Sequence, residues 1–189
     1  VLVTNSSIAR IVSNLPRSLK KLELSVRGFT RVGDISVEAL RNGYPHGLED
    51  LELSFESLDG FSDEGVASVA FRFPSSVRRL QLCFSNCGKV TDNGVAIIAN
   101  AIRGKLFHLG LEFDNCENVS DGGLAAVAEK LPNALDTLLI SLQGCKLITD
   151  PGIAALAQKL PKTLKRIELS LKGTQVGADQ RKKLLQLEE

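Results

Sequence analysis

Six aspartates fall at one interval: Asp34, Asp63, Asp92, Asp121, Asp150 and Asp179, each 29 residues after the last. Such a row of carboxylates could hold calcium or share protons in acid–base work. Cys87, Cys116 and Cys145 keep the same interval and could form disulfides or ligate a metal. His46 and His108 are the only imidazoles. A metal reading of the cysteines lacks a fourth ligand and any neighbouring histidine, and calcium-binding solenoids need denser Gly and Asp. No Ser/His/Asp order, phosphate-cradling Gly loop or paired metal motif is present. The expectation is a chain with no catalytic group, no cofactor and no metal, and so not an enzyme.

The interval belongs to the whole chain. The strand signature L-x-x-L-x-L recurs at Leu19, Leu48, Val77, Leu106, Leu135 and Leu164, and all five steps equal 29. Counting each repeat from that residue, positions 4, 6 and 8 are also apolar, as in Leu80/Leu82/Phe84 and Leu138/Ile140/Leu142. Alternation with period two marks one buried face of a strand. The second half of each repeat places apolar or small residues at positions 19, 22, 23 and 26, as in Val95/Ile98/Ala99/Ile102. That is one buried stripe of a helix. Pro16, Pro45, Pro74, Pro132 and Pro161 recur at position 27 and stop each helix. Pro151 follows Asp150, and proline favours the first helical position, so the aspartates read as helix N-caps.

Placed on these elements, the apparent chemistry becomes packing. The cysteine position, 11, carries Phe29, Leu58 and Thr174 in the other repeats. A site shared with Phe and Leu is buried and apolar, and a free thiol there acts as a small hydrophobe. Reduced thiols fit an intracellular chain, cytoplasmic or nuclear. Cys83, at position 7, points outward as a surface thiol. Gly65, Gly94, Gly123 and Gly152, all at position 18, allow close helix packing. Glycosylation sequons at Asn5 and Asn118 matter only in a secreted chain.

The 189 residues, 43% of them hydrophobic, suffice for a single domain. Residues 1–18 form a partial N-terminal repeat, followed by repeats 19–47, 48–76, 77–105, 106–134 and 135–163. A C-terminal repeat, 164–189, reads as a cap because Lys182 holds the otherwise apolar position 19. The apolar Val1-Leu2-Val3 suggests that further repeats, or a partner, cover the other end. A net charge of +1 gives no general pull toward nucleic acid or membrane. No apolar run approaches the roughly 18–20 residues of a bilayer span.

The units resemble leucine-rich repeats over essentially the whole chain. Cys116-Glu117-Asn118-Val119-Ser120-Asp121-Gly122-Gly123-Leu124 and the run from Cys145 to Ile153 are similar to the cysteine-containing subclass, as is Cys87 to Val95. The resemblance implies an α/β, right-handed solenoid, with a parallel sheet on the concave face and helices on the convex face. That subclass is common in the substrate-binding arms of F-box proteins, adaptors of ubiquitin ligases. The 29-residue period departs from the subclass's usual 26 and is similar to repeats of the ribonuclease-inhibitor type. Those carry Asn where the short loop begins, which this chain does not do regularly.

Positions 5, 7 and 9 must face outward from the strands, and nothing in the repeat dictates them. They supply the candidate partner-binding residues Glu23, Arg27, Glu52, Glu56, Gly110, Glu112, Asp114, Leu139, Gln143, Glu168 and Lys172. These rows net −4 within a chain of net +1, which favours a protein partner with a basic segment. Gly110 and Leu139 would form a small apolar centre inside a polar rim. The alternative is a structural subunit of a larger assembly, in contact through its helices or its N-terminal end.

Overall fold

The computed structural model describes residues 5–28, 32–42, 44–102 and 105–185. Six five-residue strands, β1 (Lys21–Ser25), β2 (Asp50–Ser54), β3 (Arg79–Cys83), β4 (His108–Glu112), β5 (Thr137–Ser141) and β6 (Arg166–Ser170), form one parallel sheet in sequence order. Every strand pairs with the next at an offset of 29 residues, so Leu22, Leu51, Leu80, Leu109, Leu138 and Ile167 line up across the sheet. Helices α1 (Asn5–Ser13), α2 (Asp34–Val37), α3 (Asp63–Ala70), α4 (Asp92–Ala101), α5 (Asp121–Lys130), α6 (Asp150–Lys159) and α7 (Ala178–Leu185) form the second layer. A 3-10 turn, Glu38–Asn42, follows α2.

The alternation read from the sequence is the alternation observed. Positions 4, 6 and 8 point inward, and Phe55, Phe84 and Phe113 stack through the core with centroids 5.6–5.7 Å apart. Val66, Val95, Leu124 and Ile153, all at position 19, close the core from the helix side. The prolines act through their carbonyls as well as their rings. Pro16, Pro45, Pro74, Pro132 and Pro161 each accept the N–H three residues on, closing the turn into the next repeat.

The aspartates are not the caps. Each α3–α6 helix begins at its Asp, and the cap is the hydroxyl residue just before it: Ser62, Thr91, Ser120 or Thr149, all in extended backbone. Ser62, Thr91 and Ser120 accept the N–H two residues on, as expected of caps. Thr149 accepts none, because Pro151 occupies that place and has no N–H.

The aspartates instead reach forward to the next repeat. Asp34 accepts the Ser62 N–H at 2.8 Å and the Ser62 hydroxyl at 2.6 Å. Asp63 does the same with Thr91, Asp92 with Ser120, and Asp121 with Thr149. The position-18 glycines make room for this. A Cβ on Gly65, Gly94, Gly123 or Gly152 would lie 2.2–2.7 Å from the carboxylate oxygen of the preceding repeat's Asp.

Asp179 departs from the row. Asp150 accepts the N–H of Gly177, 27 residues on rather than 28, so the last loop is one residue shorter. Asp179 is therefore the second residue of α7, and its spacing from Asp150 is coincidental. Arg181, not Lys182, then stands over the end of the stack. It donates to the Val176 carbonyl at 3.0 Å and to the Thr174 hydroxyl at 3.1 Å, while Lys182 is exposed. Val1-Leu2-Val3, Phe29 and the side chains of Asn5 and Lys183 lie outside the described residues.

Cys87, Cys116 and Cys145 are fully buried and unpaired. They do more than fill space. Each thiol donates to a carbonyl of the preceding repeat: Cys87 to Phe55 at 3.1 Å, Cys116 to Phe84 at 3.1 Å and Cys145 to Phe113 at 3.0 Å. Burial pushes the three pKa values up to about 11, about 12 and about 11. Position 10 shows a further regularity that the sequence pattern left unread. Gly28, Ser57, Asn86, Asn115, Gly144 and Gly173 all have φ between 57° and 78°, which explains why Gly and Asn dominate there.

Candidate functional site

A parallel strand with one buried face presents every second residue outward, in rows held by the 29-residue register. Position 5 runs Glu23, Glu52, Gln81, Gly110, Leu139, Glu168 across the sheet, and position 7 runs Ser25, Ser54, Cys83, Glu112, Ser141, Ser170.

The candidates divide into two groups. Gly110, Glu112, Asp114, Leu139, Gln143 and Glu168 converge on one hollow of about 320 Å³, together with Gln81, Ser141 and Ser170. Gly110, which adds no side chain to it, sits between Gln81 and Leu139. Glu23, Arg27, Glu52 and Glu56 lie away from it, around β1 and β2, and Lys172 lies beyond β6.

Within the hollow the carboxylates differ. Asp114 is engaged by its own fold, accepting the Ser141 hydroxyl at 2.5 Å and the Gln143 N–H at 2.8 Å. Glu112, beside Cys83 on one flank and Ser141 on the other, has no ion pair among the described residues. Glu168 is exposed and paired with Arg166. Elsewhere Arg27 lies 3.1 Å from Glu56.

One outward row was missed. Residues at position 3, between the first two apolar residues of the signature, share the outward parity: Lys21, Asp50, Arg79, His108, Thr137 and Arg166. Lys21, Arg79 and Arg166 against Asp50 reduce the net charge of the face from −4 to −2. The face is thus two-sided, basic along position 3 and acidic along positions 5 to 9. Arg79 ties the two sides, with its guanidinium 3.7 Å from Asp50 and donating to Gln81 at 3.0 Å. His108 sits in this row with a buried Nε2 that has no hydrogen-bond partner among the described residues. Burial, then the Arg79 charge, holds its pKa below the ordinary value. Parity could have revealed this row, since position 3 lies two residues before position 5 on the same strand.

Other sequence candidates, apart from Cys83 in the position-7 row, fall outside the face. Asn118 is exposed and donates to the Gly88 carbonyl at 2.7 Å. Cys83 is half-buried, with its thiol pKa raised by burial. Among the described residues no group of three or more His, Cys, Asp or Glu side chains could hold a metal ion. No described helix is long and apolar enough to cross a membrane.

No protein-family model matches the chain, and neither does any curated protein sequence. Solved structures do. The chain is similar to one in the crystal structure of the Rad7 and Elc1 complex in yeast, at 21% identity and a TM-score of 0.65 over 93% of its own length. It is also similar to the leucine-rich repeat-containing protein LegL7 from Legionella pneumophila, at 16% identity and a TM-score of 0.57 over 89%. It spans 41% and 53% of those two chains. Six parallel strands in sequence order, a helical segment after each, and these two likenesses make the fold that of a leucine-rich-repeat solenoid.

Proposed function

We propose that the chain is a protein-recognition module. Its concave sheet receives a basic segment of a partner, with the hollow at Gly110 as the anchor point. The observation that carries this reading is the convergence of Glu112, Glu168, Leu139 and Gln143 around a strand residue with no side chain. Glycine inside a strand costs about 0.5–1 kcal/mol relative to alanine, and Gly110 needs no positive φ that would favour it. A hollow kept at that cost, lined by a carboxylate that has no ion pair among the described residues and by an apolar side chain, suits an aliphatic stem with a cationic head. The resemblance to the cysteine-containing subclass supports a place as the substrate-binding arm of a ubiquitin-ligase-type adaptor. The likeness to a chain of the yeast Rad7–Elc1 complex also favours work within an assembly of proteins.

Gly110→Ala and Glu112→Lys test this, with a fluorescent lysine/arginine-rich peptide as probe and a glutamate-rich peptide of equal length as control. A Cβ on Gly110 would lie 3.2 Å from the Gln81 side chain, so the alanine variant should keep the fold with a shift of a few tenths of an ångström in Gln81, and its thermal melt checks this. Each variant should weaken the basic peptide about tenfold and leave the control unchanged. Native affinity in both variants would overturn the reading.

A further inference from the structure

The helical side carries a second surface of opposite character. A groove of about 530 Å³ runs between the C-terminal halves of α3 and α4, with a floor of Ala67, Ala70, Ile97 and Ala101. Phe71 stands exposed at its edge, and two guanidinium groups flank the ring: Arg41 at 5.3 Å from its centroid and Arg72 at 5.5 Å.

Three features here break the repeat. Position 24 is Asn42, Asn100, Glu129 and Gln158 in other repeats, but Phe71 in this one. Position 23 is alanine in the four repeats from Ala70 to Ala157, but Arg41 in the repeat before them. Helix α3 also ends after eight residues where α4, α5 and α6 run to ten. It ends because Phe71 turns to extended backbone and Arg72 enters the left-handed region at φ 59°. A non-glycine residue pays for that conformation. The buried Tyr44 hydroxyl donates to the Val69 carbonyl at 2.7 Å, which accounts for the early end of α3 within the stack, whereas the later repeats stack without an aromatic at position 24 or an arginine at position 23.

We propose that this groove docks an acidic, aliphatic segment of a partner protein, apart from whatever the concave face binds. The occupant follows from charge complementarity. Arg41 and Arg72 make no ion pair among the described residues, and they bracket an apolar floor beside an exposed ring. An amphipathic helix would lay leucine-sized side chains against Ala67, Phe71 and Ile97 and set its carboxylates beside the two guanidinium groups. The stacked arginines hold the ring in place before the partner arrives, which lowers the ordering cost of binding.

The test uses a synthetic amphipathic peptide of leucine and glutamate, and the same peptide with lysine for glutamate. Both are titrated into the isotope-labelled chain and followed by amide chemical shifts. The acidic peptide should shift amides of α3 and α4 around Ala67, Phe71 and Ile97, and the lysine peptide should leave them in place. Phe71→Asn installs the residue that Asn100 already provides in the next repeat, so it should keep the fold and weaken binding about tenfold. Arg41→Ala, again the neighbouring repeats' residue, should weaken binding and flatten its salt dependence. Equal binding of both peptides, or native affinity in Phe71→Asn, would overturn the proposal. So would dimerisation of the chain alone that Phe71→Asn abolishes, which would assign the groove to a second copy.

Discussion

The Thr91 hydroxyl donates to Asp63 across 28 residues of sequence and 2.6 Å of space, while its oxygen accepts the Asn93 N–H at 3.1 Å. One hydroxyl thus caps its own helix and ties it to the repeat before. Removing the carboxylate leaves the part-buried Thr91 N–H without its acceptor. Asp63→Ala should therefore cost about 1–3 kcal/mol, read as a lower urea midpoint. If the aspartate served only its own helix, the loss would stay near the few tenths of a kcal/mol of a dipole contact.

Gly152 and Asp121 form one unit. A Cβ on Gly152 would lie 2.2 Å from the Asp121 carboxylate oxygen and 3.1 Å from its backbone Cα. Gly152→Ala should destabilise by about 1–3 kcal/mol through overpacking. Gly88→Ala, with nothing within 4 Å of its Cβ, should change stability by less than about 1 kcal/mol. Thermal melts of Gly152→Ala, Asp121→Ala and the double variant should be less than additive, because both single changes disrupt the same contact. Additive losses would mean that the two residues act separately.

The thiol row makes stability fall on the alkaline side. Cys87, Cys116 and Cys145 have folded pKa values raised to about 11, 12 and 11, against about 8.5 in an unfolded chain. Their contribution is complete below about pH 8.5 and is lost as pH rises through the folded values. Chemical denaturation between pH 8 and 11 should show this decline, with a shallower slope in Cys116→Ser, which keeps a donor for the Phe84 carbonyl but does not titrate there. A thiol reagent at pH 8 should label Cys83 slowly in the native chain and all four cysteines after unfolding. Prompt labelling of Cys116 in the native state would contradict the buried ladder.

The fold was legible because each repeat restates it. The Leu22-type and Leu24-type positions declare strands by their period, and the stripe at Val95, Ile98 and Ala99 declares helices. The role of Asp63 was not legible, because its partner lies in the next turn and a local pattern of Asp before a helix equally describes a cap. The place of Asp179 misled for a different reason. One deleted residue in the loop before α7 moved it into a position that the numbering still counted as equivalent. In the candidate site, Gly110 and Leu139 could be named as neighbours from register alone. Arg79 and Arg166 were passed over because they fill a spacer position of the leucine signature, although the pleat turns them outward. The groove at Phe71 was not legible because a repeat pattern declares only what recurs, and Phe71 and Arg41 do not recur.

The inter-repeat contacts are complementary on the two sides of each unit. Toward the next repeat a unit offers a carboxylate and the carbonyl of its core phenylalanine; toward the previous one it offers a hydroxyl, an N–H and a thiol. A unit from the regular stretch between Phe84 and Ile148 could therefore be duplicated or excised in the gene, and the edges on either side would still find matching groups. The length of such an array can drift between generations without a penalty in stranded polar atoms. Stacking leaves free the residues that mark one unit as unlike its copies, and Gly110 and Phe71 are two such residues.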